Sequence, residues 1–468
     1  MVLRTMNGEN YRQISQNLGE DVPCQMSLFS PAEEAGLYHR VDSGGYFSVL
    51  TALEGGRKIQ RSYPTAQMPV VLRLIDANRD TWISQAEFWS PLRRVVNVKS
   101  ISSCFVDIDF YKTEWGVGRT PERAAEDVVG LCDDFGIPRP SLINYSGRGL
   151  QVKWFFEKPL PRPALPRWNA LEVALIEKLV LCGADPQARD AARVLRMVQT
   201  INTKSKQFCR PIWTNNDENG QPIRYDFEFL AECVLPIPRS VLRQHVEIAQ
   251  QTVKTPRSGV SRGLTIETLN WNRVEDLRTI VRLRSGMREG LRMQMLFYLV
   301  NFLALSHQVT PATFYFEAAA IAREIDPTWT MYSAELKTVY SKMKDYRAGK
   351  TVEFNGRTYP ALYTPTNDTL INVFNITSEE QKQLKTIIDG TEHRRRQVAA
   401  IRQAGVMSRF DYEDRADQRR ERAIELSKTG LSIRKIAEEI GISKTQVQRY
   451  LATVSHVRSL TNGVACPG

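Results

Sequence analysis

The sequence predicts an α+β domain, then a helical lobe, and finally a C-terminal helix-turn-helix. Three observations support this fold class. Short β-type runs alternate with two helical segments from residue 38 to 234, amphipathic helical segments follow from 264 to 346, and two helix signals flank Gly441. We therefore expect domains at 1–235, 264–390 and 391–468, with a linker at 236–263.

The first domain is predicted from β-branched and aromatic runs that are four to eight residues long. Two helices, Pro121 to Phe135 and Pro166 to Cys182, separate some of these runs. The predicted strands are Tyr46 to Leu53, Val70 to Ile75, Phe105 to Phe110, Leu142 to Tyr145, Leu150 to Phe156 and Val194 to Val198.

The helical lobe follows a stretch, Pro236 to Arg262, that is rich in Pro, Ser and basic residues and is typical of a linker. Its longest apolar segment, Met293 to Leu305, contains Gln294 and Asn301 and is too short to cross a bilayer. We expect a buried helix there and no membrane partner. The predicted helices are Leu277 to Arg284, Glu289 to Ser306, Pro311 to Ile325 and Ala334 to Tyr346.

Charge and cysteine usage narrow the class of protein. The net charge of +11 favours a polyanionic partner such as nucleic acid. Seven cysteines are scattered without a Cys-x-x-Cys pair, and the five histidines do not cluster with them. This pattern argues against disulfides or structural zinc and favours a reducing cytosol, so we expect a cytoplasmic protein of bacterial type.

Two acids interrupt the apolar run Cys104 to Phe110. Because strand side chains alternate, Asp107 and Asp109 are predicted to point the same way. A buried pair of like charges is costly unless a cation neutralises it. The alternative is a strand end whose acids reach solvent.

A turn with two glycines follows, and it leads into the next strand. Gly147 and Gly149 allow close approach of the backbone to a ligand, and Arg148 and Lys153 add positive charge. This combination suits a phosphate, although an ordinary hairpin turn has the same composition.

A third element, Gly183 to Lys204, combines acidic and basic residues. Asp185 precedes Arg193 by eight residues and Arg196 by eleven, and the segment ends in Lys204. We interpret it as an acidic turn, a short strand that carries arginine, and a basic end.

In this order and spacing, the three elements resemble the archaeo-eukaryotic primase superfamily, in its plasmid-encoded branch, most strongly from Ser100 to Trp213. The first motif of that family is Asp-x-Asp or Asp-x-Glu, and the third is an Asp followed by Arg-x-x-Arg. The second usually reads Ser-x-x-Gly-x-His; here Ser146 and Gly149 match it, and Gln151 stands in place of the histidine.

The resemblance implies a primase-polymerase domain that uses nucleoside triphosphates, a single-stranded DNA template and two ions of Mg²⁺ or Mn²⁺. It assigns the catalytic and metal-binding role to Asp107, Asp109 and Asp185, because hard divalent ions prefer carboxylate oxygen. Asp190 is the alternative third carboxylate. The residues assigned to nucleotide or phosphate are Ser146, Arg148, Gln151, Lys153, Arg193, Arg196 and Lys204.

A competing metal motif lies at Asp76 to Glu87. Asp76, Asn78, Asp80, Ser84 and Glu87 occupy the ligand positions of a calcium loop, but Thr81 replaces the glycine required for its sharp turn. We favour a hairpin turn over residues 77–80 that leads into a strand.

The last unit, Glu421 to Leu451, has the spacing of a helix-turn-helix, with Gly441 at the turn and the third helix running from Lys444 to Leu451. It resembles resolvase-like and Trp-repressor-like units. An arginine-rich stretch, His393 to Arg422, precedes it. The candidate DNA contacts are Ser443, Lys444, Thr445, Gln446, Gln448 and Arg449.

Together these features predict a plasmid-type replication protein that primes DNA synthesis, with a tail that binds duplex origin DNA and a helicase as a further partner. A second hypothesis keeps the primase-like fold as a scaffold for a non-catalytic initiator or repressor, since Gln151 replaces the usual histidine. An acid-triad nuclease is disfavoured, because the paired arginines suit a triphosphate better than a diester.

Overall fold

The computed structural model describes residues 29–236, 266–354, 356–403 and 409–461. The chain divides into two compact units, Met1–Ile387 and Ile388–Gly468. Except for Pro236, the predicted linker lies outside the described residues, as do Cys24 and Cys466.

A mixed sheet forms the centre of the larger unit. Its strands run in the order β11-β6-β7-β5-β4-β1-β3-β8, with β2 beside β1 and β12 beside β7; the β12–β7 pair is parallel and the others are antiparallel. The sheet strands are β1 Tyr46–Ala52, β2 Lys58–Pro64, β3 Thr81–Ser84, β4 Ala86–Phe88, β5 Val98–Ile108, β6 Leu142–Tyr145, β7 Leu150–Pro161, β8 Val194–Arg196, β11 Arg210–Thr214 and β12 Arg224–Tyr225. Two separate hairpins are formed by β9 Ile201–Asn202 with β10 Gln207–Phe208, and by β13 Thr351–Phe354 with β14 Arg357–Pro360.

Helices cover the sheet and then form the helical lobe. Those before residue 236 are α1 Pro31–Gly36, α2 Met68–Arg73, α3 Pro121–Asp134, α4 Leu165–Lys178 and α5 Phe227–Val234. Those of the lobe are α6 Ile266–Leu283, α7 Arg292–Leu305, α8 Phe314–Ile325, α9 Lys337–Arg347, α10 Asn367–Phe374 and α11 Ser378–Gln381. The predicted α+β class with a helical lobe is confirmed.

One predicted strand is wrong. The segment Val70 to Ile75 lies mostly in α2, with Pro69 in its first turn. Met68 and Leu72, four residues apart, are buried in a cluster with Phe47, whereas Val70 is 63% exposed. Packing of an i, i+4 pair against the sheet therefore overrides the β-propensity of the two valines.

The apolar helix α7 is buried, as predicted. Its polar residue Asn301 is fully paired, because its amide donates to the Tyr363 carbonyl at 2.8 Å and accepts from the Tyr363 N–H at 3.0 Å. Among the helices that the structure describes, none is long and apolar enough to cross a membrane.

The lobe joins the sheet domain through buried charge. The Glu317 carboxylate of α8 accepts from the N–H groups of Val95 at 3.0 Å and Val96 at 3.4 Å. Arg278 of α6 donates to the Val96 carbonyl at 2.9 Å and pairs with Glu324 at 2.7 Å. Burial raises the pKa of Glu317 to about 7, and the two backbone donors oppose this shift.

A buried ion pair anchors the first helix to the sheet. Lys153 on β7 and Glu34 on α1 form a salt bridge, with side chains 1% and 2% exposed. The same carboxylate accepts from the Asn144 amide at 3.1 Å and from the Tyr38 hydroxyl at 2.8 Å. Every charge in the cluster thus has a partner, which buried ions require.

We expect Lys153→Met to lower the free energy of unfolding by about 3–5 kcal/mol, because Glu34 would remain buried without its counter-ion. Urea denaturation of the full chain measures the change. Lys158→Met, on the exposed end of the same strand, is the matched control and should cost about 0.5 kcal/mol or less. A loss below about 1 kcal/mol for Lys153→Met would contradict a structural role for this pair.

Candidate active site

Backbone hydrogen bonds place three acids at one end of the sheet. Strand β5 ends at Ile108, directly after Asp107 and before Asp109. The returning segment at 183–185 lies alongside, since Asp185 N–H donates to the Asp107 carbonyl at 2.8 Å and Asp109 N–H donates to the Gly183 carbonyl at 2.9 Å. Gly183 has a φ of +91°, and a Cβ there would come within 2.9 Å of the Asp109 carbonyl. Glycine therefore permits this close approach.

A shallow cleft of about 430 Å³ lies at this end of the sheet, and Asp109 and Asp185 line it. In it, Asp109 forms a salt bridge with Lys112, and one Asp185 oxygen lies 3.5 Å from an Arg193 nitrogen. The other Asp185 oxygen accepts from the Gln187 N–H at 2.9 Å. Asp109, Lys112, Thr113, Gly183, Ala184, Asp185, Pro186 and Gln187 line the cleft.

The pKa of Asp107 is shifted in this arrangement of acids. Burial raises its pKa to about 6, the charges of Asp109 and Asp185 act in the same direction, and Arg193 and Lys112 oppose them. Carboxylates that crowd together in this way favour a bound cation.

The donor set fits a hard divalent ion, since Asp107, Asp109 and Asp185 offer carboxylate oxygens. As the described side chains lie, however, no three His, Cys, Asp or Glu groups are close enough to enclose an ion. Lys112 and Arg193 pair with two of the carboxylates instead. Metal binding at this cluster would require these two cations to turn away.

The glycine turn lies against the acids. Ser146 N–H donates to the Gly149 carbonyl at 2.9 Å, and Gly149 N–H donates back to the Ser146 hydroxyl at 3.2 Å. A Cβ at Gly149 would approach the Ile108 carbonyl oxygen to 2.4 Å and an Asp109 carboxylate oxygen to 3.4 Å. The structure therefore brings Ser146 and the turn next to Asp109.

Two arginines stand near the acids. The guanidinium of Arg148 lies over the Tyr111 ring, 4.2 Å from its centroid. Arg193 lies between Asp185, at 3.5 Å, and Asp190, at 3.8 Å. Asp190 is buried, its pKa is raised by that burial, and it does not line the cleft.

Gln151 lies in strand β7, and its side chain is buried. It pairs with Asp107 in the β5–β7 register and is 2% exposed. In the orientation that satisfies both ends of its amide, it donates to the Arg196 carbonyl at 3.2 Å and accepts from the Arg196 N–H at 2.8 Å. The side chain that replaces the family's histidine thus joins β7 to β8.

Arg196 is also engaged. Its guanidinium pairs with Asp80 and lies over the Trp82 ring, 4.6 Å from the centroid. Asp80 accepts in addition from the Thr203 N–H at 3.2 Å. This side chain ties β8 to the turn before β3.

The two predicted lysines lie away from the cleft. Lys153 is buried against Glu34, so the structure does not bring it to the predicted phosphate site. Lys204 is exposed in the segment between β9 and β10. Asn202 of that hairpin donates to the Ser146 carbonyl at 3.0 Å, which holds the hairpin beside the glycine turn.

The alternative calcium loop is not formed. Ser84 and Glu87 belong to strands β3 and β4 rather than to a loop, and Glu87 accepts from the Arg40 N–H at 2.8 Å. Asp76 accepts from the Asn78 N–H at 3.0 Å within a turn. That turn leads into β3, as predicted, but it is not a hairpin turn, because the helix α2 precedes it in place of a strand.

The sequence patterns missed Lys112 and Asp80. Lys112 reaches Asp109 because the chain leaves the strand there, at φ −88° and ψ 51°, and turns into a short 3₁₀ segment. The sequence signal for this contact is the spacing of three residues between Asp109 and Lys112. Asp80 had a signal only for calcium, and its partner Arg196 is 116 residues away in the chain.

The smaller unit contains the helix-turn-helix. Its described helices are α12 Gly390–Gln403, α13 Arg409–Lys428, α14 Ile433–Ile440 and α15 Lys444–Thr461, so the last helix is longer than predicted. Gly441 ends α14 with a φ of +70°, and the Ser443 hydroxyl accepts from the Gln446 N–H at 3.2 Å. The buried core consists of Ala423, Leu426, Ile436, Ala437, Val447 and Tyr450.

The candidate DNA contacts all lie on the outside of this unit. Ser443 is exposed ahead of α15, and five side chains of its first two turns are exposed as well: Lys444, Thr445, Gln446, Gln448 and Arg449. Val447 and Tyr450 face the core between them. This alternation leaves one face of α15 available to a groove of DNA.

Comparison with known proteins agrees with the predicted resemblance at two points. Residues 414–456 match the model of the homeodomain-like domain, which confirms the predicted helix-turn-helix. A replication protein of Clostridium perfringens is 28% identical over 313 residues, which cover 67% of this chain and 69% of that protein.

Solved structures with a distant likeness include three primase domains. The AEP domain of the cyanophage S-2L primase-polymerase is 16% identical, covers 41% of this chain and 89% of its own, and has a TM-score of 0.30. The catalytic domain of primase RepB′ in complex with initiator DNA is 14% identical, with coverages of 48% and 99% and a TM-score of 0.27. Primase RepB′ is 14% identical, with coverages of 68% and 99% and a TM-score of 0.28.

We expect Asp107→Asn to stabilise the metal-free protein at pH 8. The folded chain holds the Asp107 proton up to about pH 6, whereas the unfolded chain releases it near pH 4, so stability falls as pH rises through this window. The ionised group then costs up to about 3 kcal/mol, which the amide avoids. Urea denaturation in EDTA at pH 4 and pH 8 measures the difference.

The gain should vanish near pH 4, and added Mg²⁺ should stabilise the wild type more than the variant. Asp134→Asn, at the exposed end of α3, should show neither effect. Lower stability of Asp107→Asn than of the wild type at pH 8 in EDTA would contradict the electrostatic cost assigned to Asp107.

Proposed function

We propose that this chain is a replication protein whose sheet domain catalyses template-directed nucleotidyl transfer and whose C-terminal unit binds duplex DNA. The observation that carries the catalytic half is the group of three carboxylates held by backbone hydrogen bonds beside a glycine turn and two arginines. The similar replication protein and the homeodomain-like match support the assignment.

The proposed metal ligands are Asp107, Asp109 and Asp185, which would hold two ions of Mg²⁺ or Mn²⁺. The chemistry that such ions would supply is activation of the primer 3′-hydroxyl and stabilisation of the leaving pyrophosphate. Asp107, with a pKa of about 6, is largely ionised at neutral pH and therefore ready to accept a cation.

In this mechanism, Lys112 and Arg193 have different partners in the metal-free and the metal-bound protein. In the metal-free protein they neutralise Asp109 and Asp185. If cations neutralised these carboxylates, both side chains would be free to turn towards the triphosphate of the incoming nucleotide. Arg193 offers a planar fork for two phosphate oxygens, and Lys112 a point charge.

The glycine turn completes the proposed nucleotide site. Gly149 brings the backbone against Asp109, and the neighbouring Arg148 lies over the Tyr111 ring. The phosphates therefore meet Arg148 and Arg193, whereas Gln151 and Arg196 support the sheet behind them. We propose Lys204, exposed beside the turn, as a contact to the single-stranded template.

A non-catalytic initiator or repressor is the second candidate function. It is favoured by one observation, that Gln151, Lys153 and Arg196 are committed to structural contacts. Under this alternative the acids would be a remnant, and DNA binding by the tail would be the whole activity.

We expect Asp109→Asn and Asp185→Asn to reduce primer synthesis at least about 100-fold, since each removes a proposed metal ligand. The assay follows labelled nucleotides on single-stranded DNA with Mg²⁺ or Mn²⁺. Asp134→Asn is the control and should be as active as the wild type. Binding of duplex DNA by the tail should persist in all three variants. Primer synthesis near the wild-type rate in Asp109→Asn would refute the catalytic assignment, and no synthesis by the wild type would favour the initiator.

The first two turns of α15 are the proposed reading surface for duplex origin DNA. We expect Gln446→Ala and Gln448→Ala to reduce discrimination between origin and scrambled duplexes by about 1–3 kcal/mol, because amide side chains recognise base edges. Lys444→Ala should instead weaken binding to both duplexes alike and reduce the salt dependence, because it contacts phosphate. Binding titrations at several salt concentrations separate these effects. An equal loss on both duplexes in all three variants would leave only electrostatic binding.

A further inference from the structure

A second cavity, of about 1200 Å³, lies between the sheet domain and the helical lobe. It is bordered by α4 and the end of β7 on one side, and by α6 and α9 on the other. The residues that line it include none of those that line the acid cleft. The cavity is therefore a separate space within the larger unit.

Two arginines in this cavity form no salt bridge among the described residues. Within the described part of the chain, neither Arg189 nor Arg347 forms an ion pair, and the buried Nε of Arg189 has no hydrogen-bond partner. Arg347 donates to the Val309 carbonyl at 3.1 Å. Burial lowers the pKa of Arg347 to about 10, and the charge of Arg189 acts in the same direction.

Four acids also line the cavity, and none of them forms a salt bridge with this pair. Glu228 forms an ion pair with Arg167 at 2.7 Å, and Asp226 caps α5 by accepting from the Phe229 N–H at 3.0 Å. Glu177 and Glu267 remain, and neither comes within ion-pair distance of Arg189 or Arg347 in the residues described. Two neighbouring, partly buried cations therefore share the cavity. The charge of Glu177 favours the protonated form of Arg189 and opposes the drop in its pKa that burial causes, but it forms no salt bridge with it, so the pair can still accept an anion.

An aromatic surface lies in the same cavity. The rings of His307 and Tyr346 stack with centroids 5.4 Å apart and planes inclined at 22°. His307 has a φ of +57°, an uncommon conformation for a residue other than glycine, which directs its ring from the end of α7. The outer face of this ring stack can contact a planar base. Because two arginines lie beside it, the site suits a ligand that combines a base with phosphates.

We propose that this cavity binds a free nucleoside polyphosphate, with its phosphates on Arg189 and Arg347 and its base against Tyr346 and His307. The site is distinct from the proposed catalytic cleft, and the described residues that line it include no group of three acids placed to hold a metal ion.

Binding there would act on the acid cleft through two connections. Arg189 belongs to the segment that holds both Asp185 and Arg193, so a phosphate on Arg189 restrains that segment. The Asn169 amide of α4 donates to the Arg189 carbonyl at 3.0 Å, and Glu172 of the same helix accepts from the Phe105 N–H of β5 at 2.8 Å. Strand β5 leads directly to Asp107. Binding of the ligand therefore stabilises the arrangement of the acids in the cleft. We expect it to increase the affinity of the cleft for its own ligands.

The test uses the full chain in EDTA, a condition under which the three carboxylates of the acid cleft repel a triphosphate. Calorimetric titrations with a non-hydrolysable ATP analogue and with inorganic tripolyphosphate should both show one site. Arg189→Gln and Arg347→Gln should weaken both ligands at least tenfold. Lys344→Gln, an exposed cation on the same helix as Arg347 and outside the cavity lining, is the matched control and should bind like the wild type.

Tyr346→Ala isolates the base contact. It should weaken the ATP analogue by severalfold and leave tripolyphosphate unchanged. Thermal unfolding of each variant without ligand confirms that it is folded, and the ligand-induced rise in the unfolding midpoint should follow the calorimetric affinity.

The proposal is overturned if neither ligand binds the wild type in EDTA, or if both arginine variants bind as tightly as the wild type. A single-stranded oligonucleotide is titrated in parallel. If it alone binds in a manner that depends on Arg189 and Arg347, the phosphates belong to a DNA strand and the assignment to a free nucleotide fails. Because the titrations contain no divalent metal and require no turnover, their outcome is independent of whether the chain primes DNA.

Discussion

The acid cleft depends on two backbone hydrogen bonds between the end of β5 and the segment at 183–185. They hold Asp185 beside Asp107 and fix where Asp109 leaves the strand, so three like charges meet irrespective of their repulsion. The approach is close enough to require glycine at positions 149 and 183. The raised pKa of Asp107 is the electrostatic consequence of burial within this arrangement. A cation-binding function gives a reason to retain it.

Two buried carboxylates elsewhere in the larger unit are matched by donors. Glu34 has Lys153, Asn144 and Tyr38, while Glu317 has two backbone N–H groups. These groups join α1 and α8 to the sheet domain, so their polar contacts hold layers of the fold together. The acid cleft and the arginine pair of the second cavity differ from them, because like charges are gathered there. Those two places are accordingly where a ligand is expected.

The basic residues of the motifs fall into two groups, which make different contacts. Arg193 lies beside Asp185, which lines the cleft, and Arg148 lies over the Tyr111 ring. Arg196 and Lys153 are each committed to an acid from another part of the chain. The proposed triphosphate site is therefore smaller than the motif pattern predicts. Its third cation, after Arg148 and Arg193, is Lys112, which neutralises Asp109 when no metal is bound.

The sequence by itself determined the α+β class, the buried helix α7, the helix-turn-helix and the close pairing of Asp107 with Asp109, because these follow from local periodicity, turn residues and short spacing. Only the tertiary structure decided which basic residues reach the cleft. Lys153 and Arg148 look equivalent in the motif, yet Lys153 pairs with Glu34, 119 residues away. The same holds for α2, whose helical form depends on the cluster around Phe47, and for the cavity between α4 and α9. Burial and charge pairing are set by elements that are distant in the chain and adjacent in space, and local spacing carries no information about them.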